Sequence, residues 1–457
     1  MFENNYTSEK SYVLQRLIIT STNGESIDIY PQFIELSIFE DIYNSTISGQ
    51  VLMSDSQDLL NRIPLSGFEF ISITVGKPGS QREVIFDKVF RIYKFSSDSI
   101  KSSTTSNQTY ILHFCSEENI ISNSRRISKS YKGKRTSDIV KDILVNQLLV
   151  SSTKVLPQNI ENSAGLQDII IPYMNPLAAL TWLAARTVSA SQKSSGANFM
   201  FYENTRGYNF KSLETLFQQP TKAKYTYKVK NLDSPDATSS EQIQDVIKYE
   251  LMNTFDILSA INSGMFSSVL KAVDLVKLQV NDSVMNYNDF FNNSSHIERK
   301  NPHQFQNEND DRLGNKIYKN YYSLMRMYPT NRNHDVDKVI SSKQPSIKQN
   351  LVENWLLQRI TQINQLNYFK LKLVIPGDTF ITVGDIIEFN LPLASSKNPG
   401  EPNINPFYSG RYLITAIRHK MDLQSYEMIV EATRDCLSAK YPDAKNSDRL
   451  VKEIKKQ

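Results

Sequence analysis

The chain has 457 residues, 22% of them charged, and a net charge of only +4. Such a length predicts two to four domains, and the near-balanced charge gives no general reason to look for nucleic acid or an anionic membrane as partner. Fifteen Gly and seventeen Pro are too sparse for a fibrous chain, and the two Cys, 115 and 436, read as small buried hydrophobes and not as a disulfide.

No apolar run is long enough to span a bilayer. The polar opening, residues 1–11, lacks the hydrophobic segment of a signal peptide, so synthesis in the cytoplasm is the expectation. Residues 14–20 and 27–30 predict a hairpin around Thr22-Asn23-Gly24. Then comes a β module. Ile34, Leu36 and Ile38 alternate with Glu35 and Ser37, and residues 47–53 alternate again, the period of two of a strand with one buried face. Ser54, Asp55 and Ser56 predict a capped helix over 57–63, which Pro64 stops. Strands are expected at 68–75, 89–94 and 108–112, with a solvated Ser/Thr/Lys/Asp loop at 96–107.

From Asn119 the pattern changes. Arg125, Arg126, Lys129, Lys132, Lys134 and Arg135 crowd into one short run, directly before a predicted helix over 136–148. A second helix should start at Asn175-Pro176, a cap followed by proline in the first turn. Residues 199–202 and 208–210 predict a hairpin. The reading is a compact α/β domain.

A second β module is expected from about Tyr225, gathering 247–257 and 265–280. Residues 281–350, rich in Asn, Asp, His and Tyr, interrupt it as an excursion suited to contacts. An amphipathic helix over 351–366 carries Val352, Leu356, Ile360 and Ile363 with Trp355 beside them, and strands fill 369–430. The tail, 439–457, is charged. The second module echoes the first: 67–73 against 384–389, 89–94 against 412–417, and 108–112 against 424–428, each in the same order and with similar turns. The expected fold is mixed, β-rich α+β. Two antiparallel β-barrels, residues 1–118 and residues 223–280 with 351–437, flank a small α/β domain at 119–222. A polar insertion at 281–350 lies in the second barrel, and a tail follows at 438–457.

Catalytic and cofactor signatures are sparse. The five His include no HExxH pair, and the sequence has no phosphate-binding glycine loop, no GxSxG elbow and no CxxC. His296, His303 and Asp310 are the one trio that could meet around a metal, and no metal or other cofactor is expected. The basic run from Arg125 to Arg135 suits either a phosphate or nucleic-acid contact, or a solvated face or seam against an acidic partner, and the latter reading is preferred. Tyr131 is its only aromatic, too little for a single-strand stacking platform.

Four stretches, residues 33–55, 63–75, 130–144 and 369–389 with 409–417, resemble the central baseplate hub of contractile-tailed bacteriophages of the T-even-like type. The likeness spans roughly residues 12–437. The 281–350 insertion and the basic tail depart from it. The resemblance implies tail-tube-like barrels and a structural virion protein of the tail baseplate, made in the host cytoplasm. It implies a homotrimer whose six similar barrels adapt a threefold cell-puncturing spike to a sixfold tail tube. The partners it implies are the spike, tail-tube, tape-measure and baseplate wedge proteins, with DNA as a transient passenger and no membrane insertion.

A subunit interface of more than about 2,000 Å² is expected. Its candidate residues, with partner contacts, are Phe33, Phe39, Phe68, Phe70, Arg125, Arg126, Lys132, Arg135, Trp355, Ile386 and Phe389. Competing readings are the hub of a bacterial contractile injection system, a tail-borne peptidoglycan hydrolase, which would need a carboxylate pair in a cleft, and an adhesin.

Overall fold

The computed structural model describes residues 12–55, 65–76, 84–97, 108–191, 197–227, 245–275, 278–298, 301–302, 322–330, 352–393, 404–439 and 454–455. The helix expected at 57–63, nearly all of the 96–107 loop, and most of the insertion and tail lie outside these residues.

β1 (Val13–Thr20) and β2 (Ser26–Asp28) form the expected hairpin, and Gly24 supplies the positive φ of 88° that its turn requires. β3 (Phe33–Asp41), β4 (Ser48–Asp55), β5 (Phe70–Gly76), β6 (Val84–Ser97) and β7 (Gln108–Cys115) follow. Gly49, Val51 and Met53 of β4 are buried while the residues between them are half-buried, as pleating of a one-sided strand demands.

In the middle of the chain β8 (Ile127–Lys134) pairs with β9 (Gln167–Met174), and β10 (Phe199–Asn204) with β11 (Gly207–Ser212). Helices Thr136–Asp142 and Pro176–Ala184 bury Ile139, Leu180 and Leu183 in a core shared with Phe199 and Phe210. Asn175 accepts the Ala178 N–H at 2.9 Å and Pro176 occupies the first turn, so the helix starts where the cap signal places it.

β12 (Thr221–Thr226) and β13 (Lys248–Asn253) come next. β14 (Ser267–Asp274), β15 (Gln279–Asn286) and β16 (Leu324–Thr330) then form a sheet of their own. Of the stretch 265–280 expected in the second β module, Met265 and Phe266 do pack in the main core, but β14 and the start of β15 pair outside the main sheet. Leu270 and Ala272 of β14 pack with Val352, Trp355 and Leu357 in a separate small core, so burial is satisfied away from the main sheet. Helix Leu356–Tyr368 leads into β17 (Lys370–Pro376), β18 (Ile386–Asn390), β19 (Gly410–Asp422) and β20 (Tyr426–Thr433).

The hydrogen-bonded order is β3-β4-β7-β6-β5-β1 in the first half and β13-β17-β20-β19-β18-β12 in the second. Rank for rank the two lists match. Only the last pair differs in sense, β1 running antiparallel to β5 and β12 parallel to β18. Even the irregularities recur: the ladder slips between Ile92 and Lys94 in β6 and between Ile414 and Ala416 in β19. The Ile92 N–H bonds the Glu69 carbonyl at 2.9 Å, and the Ile414 N–H bonds the Asp385 carbonyl at 2.9 Å. Both acids also hold turn amides with their carboxylates, Glu69 those of Ser66 and Gly67, Asp385 that of Thr382.

Because β19 also pairs with β3, both halves belong to one 13-stranded sheet. Among the described residues no ladder closes either half into a barrel. One apolar core joins Leu36, Val51 and Leu112 to Leu371, Ile417 and Met428. The fold is β-rich with large antiparallel sheets and few helices.

Candidate assembly interface

The two halves meet at β3 and β19, antiparallel from Glu35 opposite Asp422 to Asp41 opposite Ala416. On the core face, where Leu36 and Ile38 are buried, the next position along holds Glu40, 1% exposed. Its Oε1 lies 2.8 Å from His419 Nε2, and His419 Nδ1 lies 2.8 Å from the Tyr426 hydroxyl. The other Glu40 oxygen accepts from the Thr382 hydroxyl and from the Thr205 N–H. Burying such a pair costs desolvation, which these bonds offset. Its larger effect is on register, since a one-residue slip would carry Glu40 away from all of its partners.

The opposite face is polar. Arg418 bonds Glu35 at 2.9 Å and the Ser37 hydroxyl at 3.1 Å, and its guanidinium carbon stands 5.7 Å from the centre of the Phe39 ring. Lys420 adds a longer contact to Glu35 at 3.8 Å.

The β10-β11 hairpin is pinned to both halves. Arg206 forks onto Asp385 at 2.8 and 2.7 Å, just before β18. Glu203 accepts the Ile47 N–H and the Ser116 hydroxyl at the ends of β4 and β7, and Lys154 sits 2.8 Å from Glu118 and 3.5 Å from Glu203. Burial pushes the Glu203 carboxyl up, and Lys154 opposes that shift.

Of the residues marked in the sequence as contact candidates, Phe33, Trp355, Ile386 and Phe389 are spent in the chain's own cores. Phe39 and Phe70 are half-buried under guanidinium groups, Phe70 at 3.4 Å from Arg91. Phe68 is 58% exposed. The basic run leads into and fills β8: Arg125 and Arg126 precede the strand, Lys132 lies on it and Arg135 follows it, all four exposed. Arg125 donates to the Gln147 carbonyl at 2.6 Å, Arg126 to that of Asn123 at 3.1 Å. Lys129 and the Tyr131 hydroxyl share Asp142, at 2.7 and 2.6 Å, and hydrogen bonds from both side chains hold its carboxyl below the usual range against the effect of burial.

Glu40 and His419 are absent from the sequence-derived candidates, although a signal for them exists. Each is a polar residue on the apolar face of an alternating strand, Glu40 after Leu36 and Ile38, His419 between Ile417 and Met421. His296 is engaged elsewhere: its Nδ1 lies 2.7 Å from Asp435, and its ring stacks on Phe291. His303 and Asp310 lie outside the described residues. Among the described residues no three His, Cys, Asp or Glu are grouped to hold a metal, and no helix is long and apolar enough to cross a membrane. A groove of about 470 Å³ beside Trp355 is lined by Arg326, Arg359, Ser263 and apolar or amide side chains, without a carboxylate.

No protein-family model matches the chain. Over 419 residues it is 22% identical to the "Probable baseplate hub protein gp334" of Vibrio phage KVP40, covering 88% of this chain and 90% of that relative. The chain is similar to a phage baseplate hub protein. The hub resemblance read from residues 33–55, 63–75, 130–144 and 369–389 with 409–417 is therefore borne out. Among solved structures the chain is similar to a tail protein from Neisseria meningitidis MC58, with a TM-score of 0.51 at 10% identity over 94% of this chain and 98% of the other. That likeness speaks for a shared fold. A 43 kDa tail protein of prophage MuSo2 from Shewanella oneidensis matches with a TM-score of 0.49 at 9% identity, over 94% of this chain and all of the other.

Proposed function

We propose that this chain is the central hub of a contractile-tail baseplate, acting as a symmetry adaptor. The single observation that carries the reading is the repeated strand order, β3-β4-β7-β6-β5-β1 against β13-β17-β20-β19-β18-β12. Two look-alike halves in one polypeptide let three copies present six similar seats, so a threefold spike below can be joined to a sixfold tube above. Each half would be one tail-tube-like barrel of the ring, with the α/β region of 119–222 set on it. The alignment with a phage hub protein supports the same role.

In this reading the lumen admits a tape-measure protein and then the genome, and wedge proteins bind outside. The chain supplies a surface and no chemistry. DNA must slide without sticking, and each phosphate neutralised by a cation adds salt-sensitive affinity. The exposed Arg125, Arg126, Lys132 and Arg135 therefore face outward or a partner and not the bore. The test is mixing: purified chain, alone and with tail-tube and spike proteins, examined by native mass spectrometry. Binding of both partners by a trimer supports the role. A monomer that binds neither and cleaves peptidoglycan overturns it.

A further inference from the structure

Within the chain the two halves are joined at one strand pair, where the far part of β19, from Ala416 to Asp422, takes β3 as its outer neighbour. The matching strands are β6 for β19 and β13 for β3, by rank in the sheet. β5 pairs with β6 only as far as Arg91, and among the described residues no strand lies along the outer edge of β6 beyond its slip, from Lys94 to Ser97. Among the described residues β13 ends the sheet, with β17 on one side and no ladder on the other.

We propose that these two open edges are the two sides of one seam between copies of this chain. β13 of one copy, running on through Phe255, adds antiparallel to Lys94–Ser97 of the next, and so repeats between chains the β3-β19 pairing found within one. The proposal rests on the trimeric hub reading and specifies its interface.

The ladders set the register. Cys115 and Thr433 occupy matching places, opposite Arg91 and Leu413 at the start of the slips. Ser48 pairs with Cys115 and Lys370 with Thr433, which matches Phe39, opposite Ser48, to Asn253, opposite Lys370. Ser96 pairs with Ile111 and Arg418 with Ile429, which matches Ser96 to Arg418. Since Arg418 stands opposite Phe39, Ser96 of one copy stands opposite Asn253 of the next.

The surface chemistry fits a second copy. Tyr93 and Phe95 are exposed on β6 at and beyond its slip, and Met252, Phe255 and Leu258 are exposed on and just after β13, with Phe255 at 70% and Leu258 at 75%. Large apolar side chains beside an open strand edge mark an association surface. The polar devices of the internal junction are not repeated. Where Glu40 and His419 pair inside the chain, the matching positions hold Thr254 and Ser97, and where Glu35 meets Arg418 they hold Lys248 and Ser96. The seam is thus held mainly by backbone pairing and apolar contact. Its two sides differ, so the contact is head-to-tail, and a trimer requires that three internal junctions and three seams together complete one full turn.

The test is a Ser96→Cys and Asn253→Cys double variant of the full chain, oxidised gently alone and in the presence of tail-tube and spike proteins, and read on a non-reducing gel. Cys115 and Cys436 are buried, so they stay out of the reaction. Covalent dimers and trimers that stop at the trimer, absent from either single variant, are expected. A native trimer without the 96–253 cross-link overturns the seam and leaves the trimer standing. A chain monomeric alone and with both partners overturns the seam and the hub reading together. As an independent arm, Phe255→Asp alters an exposed residue and should leave melting of the separated chain unchanged while weakening trimerisation roughly tenfold or more. Unaltered trimerisation counts against the seam.

Discussion

Glu40 and His419, 379 residues apart, face each other at 2.8 Å across the strand pair that joins the two halves. Both are buried, and their remaining polar atoms are taken up by Thr382, Thr205 and Tyr426. Removing one partner leaves the other buried and short of a bond. His419→Ala or Glu40→Ala is therefore expected to cost about 2–4 kcal/mol of unfolding free energy, measured by urea titration. The double variant should cost less than the sum of the singles, and strict additivity would mean that the two residues do not act as a pair.

Gly384 opens β18 at a φ of 88°, and a Cβ built on it would run into the buried Tyr202 side chain. Gly384→Ala then meets two penalties, a left-handed backbone and an occupied space. A loss of roughly 2–4 kcal/mol is expected, visible as a lower urea midpoint. Gly24, equally positive in φ but with open space where its Cβ would be, should tolerate alanine at about 1 kcal/mol. Equal costs at the two sites would contradict the crowding at Gly384.

Glu214, buried in helix Leu213–Phe217, has its carboxyl pushed up to about 7 by burial, against an ordinary value of 4.5, despite a 3.0 Å hydrogen bond from Gln362. The folded state holds this proton more tightly than the unfolded chain. Its contribution is full below about pH 4.5 and is lost as pH rises through about 7, in total roughly 3 kcal/mol. Glu214→Gln should therefore unfold at higher urea than the parent at pH 8 and close to the parent at pH 4.5. A gain of the same size at both pH values would assign the effect to something other than the buried carboxyl.

Much of the sheet was legible because period two leaves its mark on a one-sided strand, as at Ile34, Leu36 and Ile38. The Asn175-Pro176 start and the Gly24 turn were legible because each rests on backbone chemistry local to a few residues. The repeat was legible as an order of elements, yet its register was not. The sequence pairs Val89 with Tyr412, whereas the ladders match Phe90 to Tyr412, because alternation repeats every two residues and few identities pin the phase. The β3-β19 pairing spans most of the chain, and no local pattern encodes which distant edge a strand will choose. For the same reason Trp355, Ile386 and Phe389 read as contact residues from type alone, although packing places them in the interior.

Everything in the adaptor account depends on how many chains make the ring. Native mass spectrometry of the purified protein, alone and mixed with tail-tube and spike proteins, reads that number directly. The account predicts a species of about 157 kDa, three times the 52.4 kDa chain, that takes up both partners. A 52.4 kDa species under every condition, or a ring of six chains, would contradict it.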